Sequence, residues 1–559
     1  MKLRSDIWKD IKNKKGCQVL ILGAGVNGTG LLKDLALQGI DCILVDKDDF
    51  TAGASSKSSR MIHGGLRYLE NAEFKLVSES VAERNRLLRN APHYVKPLKT
   101  SIPINSWFDG LIKSPMVFLG LPVSVGGRGA LIVKMGLTFY DIITGRNRAT
   151  PKHFFTSKKQ SLREIPGLRT NIACTATYWD AWISQAERLC VDMIKEACAE
   201  NPDCTAINYV TVNKSDKDTV TLIDQDSGEE TTLQPEIVVN ATGAWVDFAN
   251  KSLGLTSHFM GGTKGSHLVI DNPELYKTLG DRMVYYEHED GRVCITFRFM
   301  DKVVMGSTDI KVDNPDDAVC DNDEVDYMIS TLKSVFPAIL ISRENIVFTF
   351  CGVRPLASSG FEYTSRASRA HRTEITEPDP DRSFKIYSMI GGKLTTFRAF
   401  AEQTADKILS QLGKSRIKST GERPYLGAKD YPADKAAKIQ WIQKVVAAGA
   451  VDKTYVEQLF KRYGTEAEKL AGNQDASWQT PLKTLPNYSI GEVEHITQTE
   501  CILHLSDLVR RRSVITFLGQ ATENVLQELA EIMGPNLCWD EPQRKHEIEM
   551  ALTEAKDGK

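Results

Sequence analysis

Residues 17–28 read CQVLILGAGVNG, a short apolar run that ends in glycines at 23, 25 and 28. An apolar-periodic stretch through Leu31, Leu35 and Leu37 follows, and then CILVD over 42–46. Strand, glycine turn, helix and strand in that order predict a mononucleotide-binding βαβ unit. Each glycine has a mechanical reason. Gly23 lets the chain turn, Gly25 lets backbone approach a pyrophosphate, and Gly28 lets helix pack on strand, while the helix start offers free N–H groups to the anion. Asn27 sits in the same turn. Asp46 stands 23 positions beyond Gly23, at the end of the second strand, where a carboxylate accepts hydrogen bonds from a ribose.

Just downstream, residues 55–70 read SSKSSRMIHGGLRYLE, an unusual concentration of hydroxyls, glycines, one histidine and cations. Hydroxyls of Ser55, Ser56, Ser58 and Ser59 suit phosphate and ribitol, and Gly64 and Gly65, having no Cβ, let backbone lie against a flat ring. Two further glycine-bearing sites come much later: VVNATG over 238–243, with Ala241, Thr242 and Gly243, and GGKLTT over 391–396, with Gly392, Lys393, Leu394 and Thr395. Several approaches to one long cofactor favour FAD over NAD, with a helix start near the flavin to stabilise charge on its reduced form. An NAD-dependent dehydrogenase shares the first fingerprint but has no use for the later turns.

Farther out, the 559 residues suit two to four domains. Hydrophobic residues at 42%, charged residues at 25% and a net charge of -2 exclude a nucleic-acid partner held by bulk charge. The 11 scattered cysteines form no CxxC pair and no metal-ligand cluster, which points to a reducing, cytoplasmic setting and to no metal. No apolar run is long enough to span a bilayer. The segment from Trp107 to Arg148, with Ser114–Gly127 at its centre, mixes aromatics with cations. It suits either a buried core with a basic rim or contact with an anionic membrane face. Short β-rich pieces over 206–240, a hairpin signal HEDG between Met283 and Asp309, a helix from GGK to a stop at Gly413, a polar linker to about Lys435 and helical patterns beyond complete the chain.

Taken together, GAGVNGTG, SSKSSRMIHGGLRYLE, KGSH (264–267), GSTD (306–309), GVRPL (352–356), SRAHR (368–372) and GGKLTTFR (391–398) resemble the FAD-dependent glycerol-3-phosphate dehydrogenases. The resemblance implies an α/β chain of the amino-acid-oxidase-like flavoprotein fold: an FAD-binding Rossmann-like domain, an antiparallel-sheet substrate domain and a C-terminal helical domain. The expected FAD-binding segments are 1–100, 181–258 and 346–425, the substrate segments 101–180 and 259–345, and the helical domain 426–559. It also implies oxidation of sn-glycerol 3-phosphate by hydride transfer from C2 to flavin N5, a quinone or similar acceptor, and attachment to the inner membrane face. A homodimer is compatible with the chain.

One departure stands out. Where the family has an acidic pair before Ala-Arg-Leu, this chain has Ser184 and Gln185, with Glu187 inserted between Ala186 and Arg188. That change leaves open a longer polyol phosphate of the erythritol phosphate type, and an oxygen-using oxidase is a further alternative. For the chemistry, a phosphate dianion calls for forked donors and ammonium groups, met by Arg354, Arg369 and Lys393. Arg366 and Arg372 compete with Arg369 for that role. A neutral-range base suits the hydroxyl proton, with His63 first and His267 second. Arg67 would anchor substrate or raise the flavin potential.

Overall fold

The computed structural model describes residues 2–71, 73–109, 129–145, 148–288, 290–357, 370–449, 451–473 and 475–557, the side chains of Arg67, Glu70, Asn71 and Asp557 excepted. The opening fingerprint folds as its residue types dictate. The strand Gly16–Leu22 runs into Gly23 at φ 100°, a conformation that side chains disfavour, and the helix Val26–Leu37 leaves from Gly25. Cys42–Val45 returns parallel to the first strand, every residue buried.

These strands are central in a sheet ordered Arg372–Thr376, Lys385–Ile390, Glu230–Asn240, Gly16–Leu22, Cys42–Val45, Thr205–Ile207. All neighbours in that order are parallel except the first pair. Burial on both faces explains the unbroken apolar runs VLIL and ILV. The helices Val26–Leu37, Ala186–Glu200 and Phe397–Gln411 pack together, and residues of all three join the sheet's main core.

A second sheet of ten strands carries the other half of the cavity. Its hairpin Arg282–Glu287 and Val293–Phe299 pairs antiparallel with Tyr286 opposite Cys294, as the HEDG turn predicts. Ladder pairs here are antiparallel apart from Arg282–Glu287 beside Val95–Ile104. The strands Met61–Ile62 and Val95–Ile104 already belong to this sheet. So does Ile346–Arg354, paired with Thr263–Ile270 through Lys264 opposite Val353. The chain therefore crosses into the second sheet before residue 100 and leaves it after Arg354, where the expected segment boundaries were 100 and 346.

Beyond Gly413 the linker is stapled to the first domain. Arg416 bonds the Asp34 carboxylate at 2.8 Å, and the Gln38 side chain accepts from the backbone of Ile417 and Lys418. The remaining chain is helical, from Lys435–Gly449 to Glu541–Asp557, around its own apolar core. Among the described residues no helix is long and apolar enough to cross a membrane.

Candidate active site

A cavity of about 1040 Å³ runs between the two sheets. At one end lie Gly23, Gly25, Asn27 and Asp46. A Cβ on Gly28 would sit 1.9 Å from the Gly23 carbonyl oxygen, so Gly28 serves helix-to-strand closeness and does not itself face the cavity. Asp46 accepts from the backbone N–H of Ala24 at 2.6 Å and of Asp48 at 3.0 Å, which aims its carboxyl at this end. Burial pushes its pKa up to about 7 despite those two donors. Lys47, Val210–Val212, Trp245 and Phe248 complete the wall. Sequence reading missed these, because nothing in a lone valine or tryptophan marks it as a cofactor neighbour.

The serine-rich loop lies along the middle. Ser55 Oγ accepts from Val26 N–H at 2.9 Å, tying the loop to the start of the helix Val26–Leu37. Ser58 and Ser59 line the cavity, whereas Ser56 donates to the Gly53 carbonyl at 3.2 Å and does not. His63 lines the cavity too, its backbone N–H donating to Thr395 Oγ1 at 3.1 Å. Gly64 is a support: its N–H donates to Asp180 Oδ1 at 2.9 Å, and a Cβ there would fall 1.9 Å from the Tyr140 hydroxyl. The buried Arg84 guanidinium, 2.8 Å from that hydroxyl and 3.1 Å from Asp180, completes a closed charge and hydrogen-bond hub behind the turn. Gly65 lines the cavity at φ 79°.

The cavity wall also carries cations. Arg354 donates to Asp309 at 2.9 Å, to Ser307 Oγ at 2.8 Å and to the Thr308 carbonyl at 2.9 Å, so its guanidinium is fixed in plane. Lys393 sits 3.8 Å over the Tyr68 ring and 3.3 Å from Ser80 Oγ. The hairpin adds Arg292, the first residue after the HEDG turn, which nothing in the sequence marks as a cavity residue. Lys57 also lines the cavity, its pKa lowered to about 8 by burial and then by Arg510 and Arg511.

His267 reaches the cavity from the second sheet, stacked on Phe350 with ring centroids 4.7 Å apart and with Nε2 2.7 Å from Ser59 Oγ. Burial, and then the Arg354 charge, lowers its pKa to about 3. That ring stays neutral at working pH, which suits it to hydrogen bonding more than to proton uptake. Ala241, Thr242, Gly243, Gly392, Leu394 and Thr395 all line the same cavity. Arg369, Arg366 and the Arg67 side chain lie outside the described residues, and Arg372 is exposed on a strand edge, bonded to Glu374.

The departure near residue 185 resolves differently. Glu187 receives both Arg60 Nη atoms, at 2.6 and 2.8 Å, in a buried fork. Neither it nor Ser184 nor Gln185 faces the cavity. The inserted acid balances an internal cation.

A cavity of about 1040 Å³ that joins the glycine cradle to cationic walls fits a flavin dinucleotide. Asn27 Oδ1 is buried, lacks a partner and belongs to the cavity wall. A Cβ on Gly352 would come within 2.4 Å of the Lys57 carbonyl oxygen, so glycine there lets the second sheet lie close against the serine-rich loop. Fold and cavity together define an FAD-dependent oxidoreductase with a substrate sheet and an added helical unit. Residues 18–407 match the family model described as FAD dependent oxidoreductase, and 418–544 match the C-terminal domain of alpha-glycerophosphate oxidase. The chain is 31% identical to a glycerol-3-phosphate dehydrogenase of Synechocystis over 95% of both chains. It is 27% identical to an aerobic glycerol-3-phosphate dehydrogenase of Staphylococcus aureus over 99% of this chain and 97% of that one. The fold superposes on the FAD complex of a Bacillus halodurans glycerol-3-phosphate dehydrogenase with a TM-score of 0.76 at 22% identity, covering 99% and 97% of the two chains. The chain belongs to the FAD-dependent glycerol-3-phosphate dehydrogenase family, and its cofactor is FAD.

Proposed function

We propose that the protein oxidises sn-glycerol 3-phosphate to dihydroxyacetone phosphate, and that its cationic wall takes the phosphate. The observation that carries this reading is one cavity joining the glycine cradle to a fixed guanidinium, with His63 also lining it. Bound FAD supplies the two-electron acceptor for hydrogen leaving C2. Arg354, locked by Asp309 and Ser307, offers a preset site to a dianion, and Lys393 adds a second positive charge. His63, whose backbone is fixed on Thr395, takes the hydroxyl proton, since a histidine in that position suits general-base work near neutrality. His267 holds Ser59 in place.

The test is anaerobic stopped-flow mixing of the yellow protein with phosphorylated polyols, scored by flavin bleaching. Glycerol 3-phosphate is expected to bleach fastest. Faster bleaching by a four-carbon polyol phosphate would overturn the substrate assignment, and hydrogen peroxide formed at the rate of turnover in air would replace the quinone by oxygen. Arg354→Leu is expected to raise half-saturation by on the order of a hundredfold, the loss of charge-assisted contacts worth ~2–3 kcal/mol.

A peripheral membrane contact fits the same reading, because a quinone dissolves in lipid. Support comes from the helix Ala130–Thr144, whose Leu131, Met135, Phe139 and Ile142 are exposed near a helical repeat, and from exposed Trp107 and Phe108 before it. The central Ser114–Gly127 run lies outside the described residues. Sedimentation with anionic vesicles, reduced by Met135→Lys and Ile142→Lys, checks this contact.

A further inference from the structure

The segment from Asp46 to Arg60 carries the ribose-facing carboxylate at its start and the cavity serines along its length. Its own conformation is unfavourable: Thr51, a β-branched residue, sits at φ 68° and Arg60 at φ 57°. Something outside the segment must hold it. Asp49, wholly buried, meets Arg512 through both oxygens at 2.8 Å and Arg511 at 2.5 Å. Arg511 continues to Asp507 at 2.7 Å, and Arg512 to the Glu500 carbonyl at 3.0 Å, so the fork is anchored within the helical unit. At the other end of the segment, Phe517 lies 4.6 Å under the Arg60 guanidinium. The same ring stands 5.2 Å from Phe350, which stacks on His267, which meets Ser59. Both ends of the segment are thus held by residues from beyond the linker.

We propose that the C-terminal helical unit is a positioning part of the flavin site: Arg511 and Arg512 on Asp49, and Phe517 under Arg60, hold segment 46–60 in its cofactor-binding shape. FAD affinity and docking of the helical unit are then linked, and by reciprocity bound FAD tightens the docking. The linkage does not depend on which alcohol is oxidised, since flavin alone reports it.

The experiment measures FAD release from the holoenzyme by the rise of free-flavin fluorescence after dilution, well below the unfolding temperature, alongside the melting temperature of each variant. Arg512→Lys keeps the charge but loses the fork, and Asp49→Asn loses the acceptor charge. Each is expected to speed release at least tenfold, and Phe517→Leu severalfold. Val525→Ala, in the helical unit's own core and outside this network, is expected to lower the melting temperature without changing release. In Asp49→Asn, added FAD should slow proteolytic cutting of the 413–434 linker. Release within twofold of the unaltered protein in Arg512→Lys and Phe517→Leu overturns the proposal. Faster release in Val525→Ala equal to that in Arg512→Lys overturns it too, by assigning the effect to general loss of stability. If Asp49→Asn does not fold, the other two variants, which preserve net charge, decide the matter.

Discussion

Two glycine turns shape the cavity, and they are held in opposite ways. The backbone of the Gly23–Gly28 turn bonds close by in sequence: Gly28 closes on the Gly23 carbonyl, and Ala24 bonds Asp46 only 22 positions on, although the Asn27 side chain also donates to the Gly391 carbonyl 364 positions away. The His63–Gly65 turn finds its partners far away: Asp180 is 116 positions from Gly64, and Thr395 is 332 from His63. The first turn is a local solution to packing a helix on a strand. The second is shaped by the rest of the molecule, and it is the one that carries His63, the base we propose.

That contrast can be broken at its local end first. Gly28→Ala places a methyl 1.9 Å from a backbone oxygen that cannot swing aside, so helix and strand must part. The purified variant is expected to be colourless, with flavin absorbance as the check. In the second turn, His63→Asn should keep the flavin and slow its anaerobic bleaching by ~10²–10⁴-fold, the usual worth of a general base. Binding of a non-reactive phosphate analogue should change little in the same variant, and equal losses in both measurements would reassign His63 to binding.

Smaller effects sharpen the comparison by probing how the second turn is supported. Gly64→Ala drives a Cβ towards the Tyr140 hydroxyl and is expected to cost ~1–3 kcal/mol of stability by overpacking. Tyr140→Phe removes the hydroxyl in the way, at the expense of its hydrogen bonds to Asp180 and from Arg84, each worth ~1 kcal/mol. The double variant should therefore be more stable than the two losses added together, as read by denaturant midpoints, with Val81 and the retained ring carbon Cζ at position 140 still close enough to keep the rescue partial. Strict additivity would mean that the turn does not lean on this hub.

The mildest expected effect is a pH dependence at the local end. Asp46 has a pKa near 7 from burial, above the ordinary carboxylate value, so the folded protein without cofactor holds an extra proton below that pH. Its contribution to stability without cofactor is therefore largest in acid and declines as pH rises through about 4 to 7. On the proposal that ribose hydroxyls of FAD donate to Asp46, which favours its ionised form, FAD affinity should rise with pH towards 7 and then level off. The gain is about tenfold for each unit by which the ribose lowers that pKa. Equilibrium flavin titrations across this range, repeated with Asp46→Asn, should lose the slope in the variant.

Much of the first domain was legible because its constraints are written into residue type. A glycine at φ 100°, an apolar run buried on both faces and an acid at the end of the second strand each leave a mark within a few positions. The hairpin at 282–299 and the helix stopped by Gly413 were legible for the same reason. Arg292 and Trp245 were not, since each resembles any surface residue until a cavity forms beside it. Nor could sequence tell that Ser56 and Gly64 turn away from the cavity that Ser55 and Gly65 face, because that choice follows from where Gly53 and Asp180 stand.

By itself, then, the order of residues determined a dinucleotide cradle, an FAD-type chain of glycine approaches and a set of cations and histidines available to a phosphorylated alcohol. Only tertiary structure decided their use. It neutralised His267 by burial against Phe350 and gave Glu187 to Arg60 instead of to the cavity. It also fixed Arg354 on Asp309 and brought Arg512 onto Asp49 from 463 positions away. The physical reason is reach. A backbone turn is settled by neighbours a few bonds distant, but the charge, protonation and direction of a buried side chain are settled by whatever the folded chain packs beside it.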